Sequence, residues 1–161
     1  MPSPSLSQRL LRKSQLKKYL EELGMLTGRV IQSDELSSLE QTAAVRMSLQ
    51  KIAVNSVVAC EIGFSDRKSE RFKKFLQSLK NANSSAIYIW TPRTYDCGVL
   101  LVPSLESIKF DFDFTINDEG IIAFTTMDLN DSLLIEMFQT SLGAQFLRIE
   151  TQGVNWARTM Y

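Results

Sequence analysis

The feature that most constrains this chain is a change of periodicity near residue 86. Before it, apolar residues recur every three or four positions. After it, short apolar or alternating runs at 86–91, 97–102, 107–116, 120–127, 132–138 and 145–151 are separated by polar, Gly- or Pro-containing links. The last four runs begin 12 or 13 residues apart, the spacing of an antiparallel meander. The expected class is therefore α+β, with an antiparallel β-meander in the C-terminal half packed against N-terminal α-helices. At 161 residues the chain is expected to form a single domain, 1–161, with a mobile N-terminus at 1–6. A domain of this size buries about two-thirds of its unfolded surface and needs neither disulfides nor metal to fold.

In the first half, Leu16, Tyr19, Leu20 and Leu23 fall on one helical stripe with Gly24 behind them as a stop signal, which predicts a helix over 7–23. Ser33 or Asp34 predicts the start of a second helix reaching about residue 50, with Leu36, Leu39, Ala43 and Met47 inward. Val57–Phe64 alternates Val58, Cys60, Ile62 and Phe64 on one side and reads as a strand. Ser65-Asp66 then opens a third helix whose stripe is Phe72, Phe75, Leu76 and Leu79, leaving Arg67, Lys68, Arg71, Lys73, Lys74 and Lys80 in water.

In the second half the clearest strand is Ile108–Phe114, with phenylalanines facing one way and Lys109, Asp111 and Asp113 the other. Asn117-Asp118-Glu119-Gly120 predicts a hairpin turn into Ile121–Met127. Leu133–Phe138 is apolar on both faces, and Asp131 is placed to cap a short helix there, but the spacing favours a strand.

The chain contains no histidine, which excludes Ser-His-Asp and Cys-His catalysis and imidazole metal sites. No glycine-rich dinucleotide or triphosphate loop and no Cys-x-x-Cys is present. Cys60 and Cys97, both in strand-like settings, suggest a reducing compartment, and no apolar run is long enough to span a membrane. Residues 1–18 carry Arg9, Arg12, Lys13, Lys17, Lys18 and four serines but no acid, a composition shared with mitochondrial transit peptides. The continuation of the leucines into a helix argues for a folded element instead.

Net neutrality conceals a division of charge. Residues 1–80 hold 14 basic and 8 acidic side chains, net +6; residues 81–161 hold 4 and 10, net −6. Between 106 and 136 stand eight acids and only Lys109 as a base. Such a stretch attracts a cationic partner, whereas the basic helices lack the interleaved aromatics of a nucleic-acid platform. Asp111 and Asp113, two apart on a strand, are placed to share a divalent metal with Lys109 nearby, the reading of a small metal-dependent hydrolase or nuclease. Cys97 has no histidine to activate it and reads as a buried small residue. Tyr88, Trp90, Arg93 and Tyr95 are of the types that dominate protein interfaces, or form a strand–turn–strand core around Pro92.

The C-terminal segment QFLRIETQGVNWARTMY, an apolar–acidic strand, a glycine, then Asn155-Trp156, resembles the tails of immunity proteins of bacterial contact-dependent inhibition and related polymorphic toxin systems. Over the last third of the chain this resemblance implies a cytoplasmic α+β protein that neutralises a toxin domain by binding it. It supplies no catalytic residues. The expectation is thus a non-enzymatic inhibitor without cofactor or metal, whose partner is a basic toxin domain rather than a membrane or nucleic acid. The residues expected at that interface are Asp111, Asp113, Asp118, Glu119, Asp128, Asp131, Trp90, Arg93 and Tyr95. A regulatory adaptor is the other non-catalytic alternative.

Overall fold

A computed structural model describes residues 5–52, 57–159 and 161. Helix α1 (Leu6–Thr27) opens on a capping box in which Ser5 Oγ accepts from the Gln8 N–H and Gln8 Oε1 accepts from the Ser5 N–H. Ser5 and Leu6, expected to be mobile, are therefore part of an ordered helix start, and residues 1–4 lie outside the described residues. The helix runs through Gly24 and stops at Gly28, whose φ of 68° suits a residue without Cβ. Tyr19, Leu23 and Leu26 are buried along the predicted stripe.

The helix expected over 33–50 is divided. Glu35 accepts from the Gln32 N–H and closes a 3-10 turn, Ser33–Glu35. Helix α2 (Leu39–Ser48) then starts afresh at the reciprocal Ser38–Gln41 cap. A Ser-x-x-Gln pair meets two backbone donors at once, which Ser33 and Asp34 do not. The restart also rotates the helix: Thr42 turns inward and accepts from the Val99 N–H, while Ala43 and Met47 face solvent.

Strand β1 (Val57–Gly63) is followed by a 3-10 turn, Phe64–Lys68, and then by α3 (Glu70–Ala82), capped by Ser69 rather than by Ser65-Asp66. Phe72, Phe75 and Leu79 are buried as predicted. The second half supplies β2 (Ile87–Trp90), a four-residue helix α4 (Thr94–Cys97), β3 (Leu100–Val102), β4 (Ile121–Thr126), β5 (Asp131–Gln139) and β6 (Gln145–Gly153). Cys97 ends α4 and does not begin a strand.

One antiparallel sheet in the order β1-β6-β5-β4-β2-β3 contains the expected meander as β4-β5-β6, so Leu133–Phe138 is strand. Its inner face aligns Cys60, Ile149, Ile135 and Ile122 in one row and Thr151, Leu133, Phe124, Ile89 and Leu100 in the next. Helices α1 and α3 and the segment 105–117 pack on that face in a continuous core. Phe110 bridges them, its ring 5.2 Å from Phe72 of α3 and 6.0 Å from Phe124 of β4. Trp156 is fully buried and donates its indole N–H to the Leu79 carbonyl at 2.9 Å, fastening the C-terminal segment to the end of α3.

Ile108–Phe114 corrects the expectation of a strand. Ile108, Phe110 and Phe112 are buried and Lys109, Asp111 and Asp113 exposed, as the alternation predicts, yet this backbone joins no ladder. The Lys109 N–H bonds to the Leu26 carbonyl instead, and the Phe112 carbonyl accepts two N–H groups of Arg67. Alternation requires only an extended chain with one dry side, and here helices supply that side. The 117–120 turn is present, with Asn117 Oδ1 accepting from the Gly120 and Ile121 N–H groups, but it leads from this irregular segment into β4 and is no hairpin.

Candidate functional site

The opposite, outer face of the sheet is the surface on which interaction-type residues gather. Glu61, Arg148, Glu136 and Ile121 stand in one row across β1, β6, β5 and β4, and Glu150, Leu134, Ala123 and Trp90 form the next. Beyond the first row, Phe138 and Phe146 are paired across β5 and β6, half-buried, with rings stacked at 5.5 Å. Three acids share this face with one base, and Arg148 is bound to Glu150 at 2.9 Å.

At the Ile121 margin the 117–120 turn and α4 enclose a cleft of about 210 Å³ lined by Gln15, Pro92, Arg93, Asp96, Asp118 and Glu119. Arg93 forms its floor. Its guanidinium, with 13% of the side chain exposed, bonds to Glu22 at 3.0 Å, Asp118 at 3.4 Å and Gln15 at 2.9 Å. Glu22 lies on the buried stripe of α1 and also accepts from Asn117. Burial pushes its carboxyl above the usual range, against the opposing pull of Arg93 and Asn117. Arg93 is therefore a tie between α1, α4 and the turn, while Asp96, Asp118 and Glu119 give the cleft an acidic rim.

The nine residues expected at the interface do not form one patch. Trp90 is buried and donates its indole N–H to Thr125 Oγ1 at 2.8 Å. Tyr95 is 46% exposed, beside Trp90 and under the Arg46 guanidinium at 4.1 Å. Asp111 and Asp113 are exposed on the segment that covers the inner face, Asp111 lying 3.5 Å from Lys68. Asp128 and Asp131 follow β4 whereas Asp118 and Glu119 precede it, so a strand of roughly 20 Å lies between the pairs. Asp131 is fully buried and accepts from the Asn155 and Trp156 N–H groups and from the amides of Asn83 and Asn155. Asp128 organises the same turn. Partial burial works to raise its carboxyl, but bonds from Thr126, Asn130, Asn83 and Ser85 outweigh it and hold the group below the usual value. The acid-rich stretch 106–136 thus divides into a cleft rim, a structural turn, two aspartates facing the opposite way, Glu106 paired with Lys80, and Glu136 on the outer sheet face.

Besides Asp131, two more buried charges escaped sequence reasoning. Arg67, expected in water, lies over the Phe64 ring at 3.7 Å and donates to the carbonyls of Phe64 and Phe112. Glu22 was detectable, because it stands between Tyr19, Leu23 and Leu26 on the helix stripe, where an acid requires a partner. Nothing in the local pattern distinguishes Arg67 from Lys68, since the 3-10 turn decides which one points inward.

Among the described residues no three Cys, Asp or Glu side chains converge as metal ligands. Burial, with Asp96 beside it, pushes the Cys97 thiol up to about 11, which leaves it protonated at neutral pH. A larger cleft of about 570 Å³ between β1 and α3 is lined by Cys60, Asp66, Arg71, Phe75 and Tyr161. Its polar groups serve one another: Arg71 lies over the Tyr161 ring and donates to the Tyr161 carbonyl, and Asp66 accepts from the Gly63 N–H. Comparison of the chain with protein-family models, curated proteins and solved structures found no match.

Proposed function

We propose that this chain is a non-catalytic binding protein of the immunity type, which neutralises a basic toxin domain by docking it on the outer sheet face. The reading is carried by one observation: a sheet face on which half-buried Phe138, Phe146 and Leu134 stand among the acids Glu61, Glu136 and Glu150, with Asp118 and Glu119 at its Ile121 margin and Arg148 as its base. Apolar residues that such a face buries in a complex set its lifetime, and the exposed charges set its rate of formation.

The test uses a basic partner domain captured by pull-down with the purified chain, with surface plasmon resonance at two salt concentrations. Reversing Glu136, Glu150 and Asp118 to lysine is expected to slow association about tenfold and to flatten its dependence on salt. Phe138→Ala with Phe146→Ala is expected to speed dissociation. Salt-insensitive association would overturn the reading, as would metal-dependent turnover by the purified protein that Asp111→Asn abolishes.

A further inference from the structure

The acid-free N-terminal stretch takes no part in that reading, and the structure gives it an unusual setting. Residues 5–11 of α1 are exposed on every side, so the first turns of the helix stand clear of the body. Leu6 is 73% exposed and Leu10 59%, and Leu11 is exposed beside them. With 3.6 residues per turn, the face opposite Tyr19, Leu23 and Leu26 carries Leu6, Leu10, Lys17, Glu21 and Met25, flanked by Lys13, Lys18 and Leu11. Further along the same side, Leu20, Gly24, Met25 and Ile31 line a shallow apolar groove whose lip is Val30, itself 78% exposed. Among the described residues Glu21 and Glu35 are the acids of this surface, Glu35 paired with Arg29, while Arg9, Lys13, Lys17 and Lys18 surround the apolar residues without an ion pair.

We propose that this surface docks the protein on an anionic lipid bilayer. Leu6, Leu10, Met25 and Val30 would enter the headgroup boundary while the lysines meet lipid phosphates. Charge complementarity selects the occupant: exposed leucines with lysines at their margin match the headgroup boundary of an anionic bilayer, where acyl chains and lipid phosphates lie at adjacent depths. Exposed leucines and the absence of aromatic platforms disfavour nucleic acid. No described helix is long and apolar enough to cross a membrane, and interfacial docking requires none. Each lysine or arginine near an anionic surface strengthens the attachment, and buried leucine side chains add to this.

Co-sedimentation of the full chain with large unilamellar vesicles tests the proposal. Phosphatidylcholine with about a third phosphatidylglycerol is expected to bind the protein at least tenfold more strongly than phosphatidylcholine alone, and half-molar salt is expected to release it. Lys13→Glu with Lys17→Glu should weaken binding about tenfold, and Leu6→Ser with Leu10→Ser several-fold. These four side chains are exposed and thermal unfolding should be unchanged, which separates lost docking from lost folding. Glu136→Lys with Glu150→Lys should leave binding to these vesicles undiminished. Equal binding to neutral vesicles, no sedimentation, or indifference to the α1 variants overturns the proposal. So does capture by soluble polyglutamate with no vesicle binding, which would assign the face to an acidic protein.

Discussion

Asp131→Ala would remove the acceptor shared by the main-chain N–H groups of Asn155 and Trp156 and by the amides of Asn83 and Asn155. Each buried donor left without a partner costs about 1–3 kcal/mol, so a loss of about 3 kcal/mol or more is expected in urea unfolding. A loss below about 1 kcal/mol would mean that the turn re-forms its bonds elsewhere. Gly153 shows the same crowding from the other side. At φ 115° it lies so close to Asn130 and Asp131 that an added Cβ would overlap the Asn130 carbonyl. Glu22 makes a different demand, one on pH. Burial raises its carboxyl above 4.5, so the native protein retains that proton after the unfolded chain has released it. Stability must then fall as pH rises from the ordinary value toward the raised one. The wild type is expected to lose stability relative to Glu22→Gln as the pH rises above about 4.5. Identical pH slopes for the two proteins would show that Arg93 and Asn117 fully compensate the burial.

Among the elements, the segment 105–117 tests whether burial or backbone pairing holds an extended chain in place. With no ladder partner, the amides of Asp111 and Asp113 are expected to exchange hydrogen far faster than those of β4 and β5, although Phe112 between them is as buried as their residues. Phe112→Ala should cost about 3–5 kcal/mol, while Asp111→Lys with Asp113→Lys should stay within about 0.5 kcal/mol. A sharp loss from the double reversal would contradict the exposure of both carboxylates. The same segment marks the boundary of what a sequence can disclose. The side on which Ile108, Phe110 and Phe112 are buried was legible, because side-chain alternation is local. Whether a neighbouring strand or a helix provides the dry surface depends on residues far away in the chain, Leu26 and Arg67 among them. Likewise the α3 stripe, β1 and the β4-β5-β6 meander were readable from apolar spacing, whereas the division of 33–50 turned on one capping pair. The interface residues were the least legible. Acidic residues in adjacent sequence were assumed adjacent in space, and β4 carries Asp118 and Asp128 to opposite ends of a strand.

For the molecule as a whole, the division of charge becomes a division of labour between surfaces. The basic excess of residues 1–80 is concentrated on α1 and α3, and among the acids of residues 81–161 Asp96, Asp118, Glu119, Glu136 and Glu150 mark the outer sheet and its cleft, while Glu106 and Asp111 pair with Lys80 and Lys68. Because α1 and the outer sheet are different surfaces, salt should weaken the two proposed dockings independently. The sheet order has a further consequence, for synthesis. The first strand made, β1, pairs only with the last, β6, Val57 lying opposite Gln152 roughly ninety residues later. During translation β1 has no neighbouring strand until β6 has left the ribosome. A ribosome-stalled chain lacking β6 should therefore remain protease-sensitive and chaperone-bound, and gain protection only when the final strand is released.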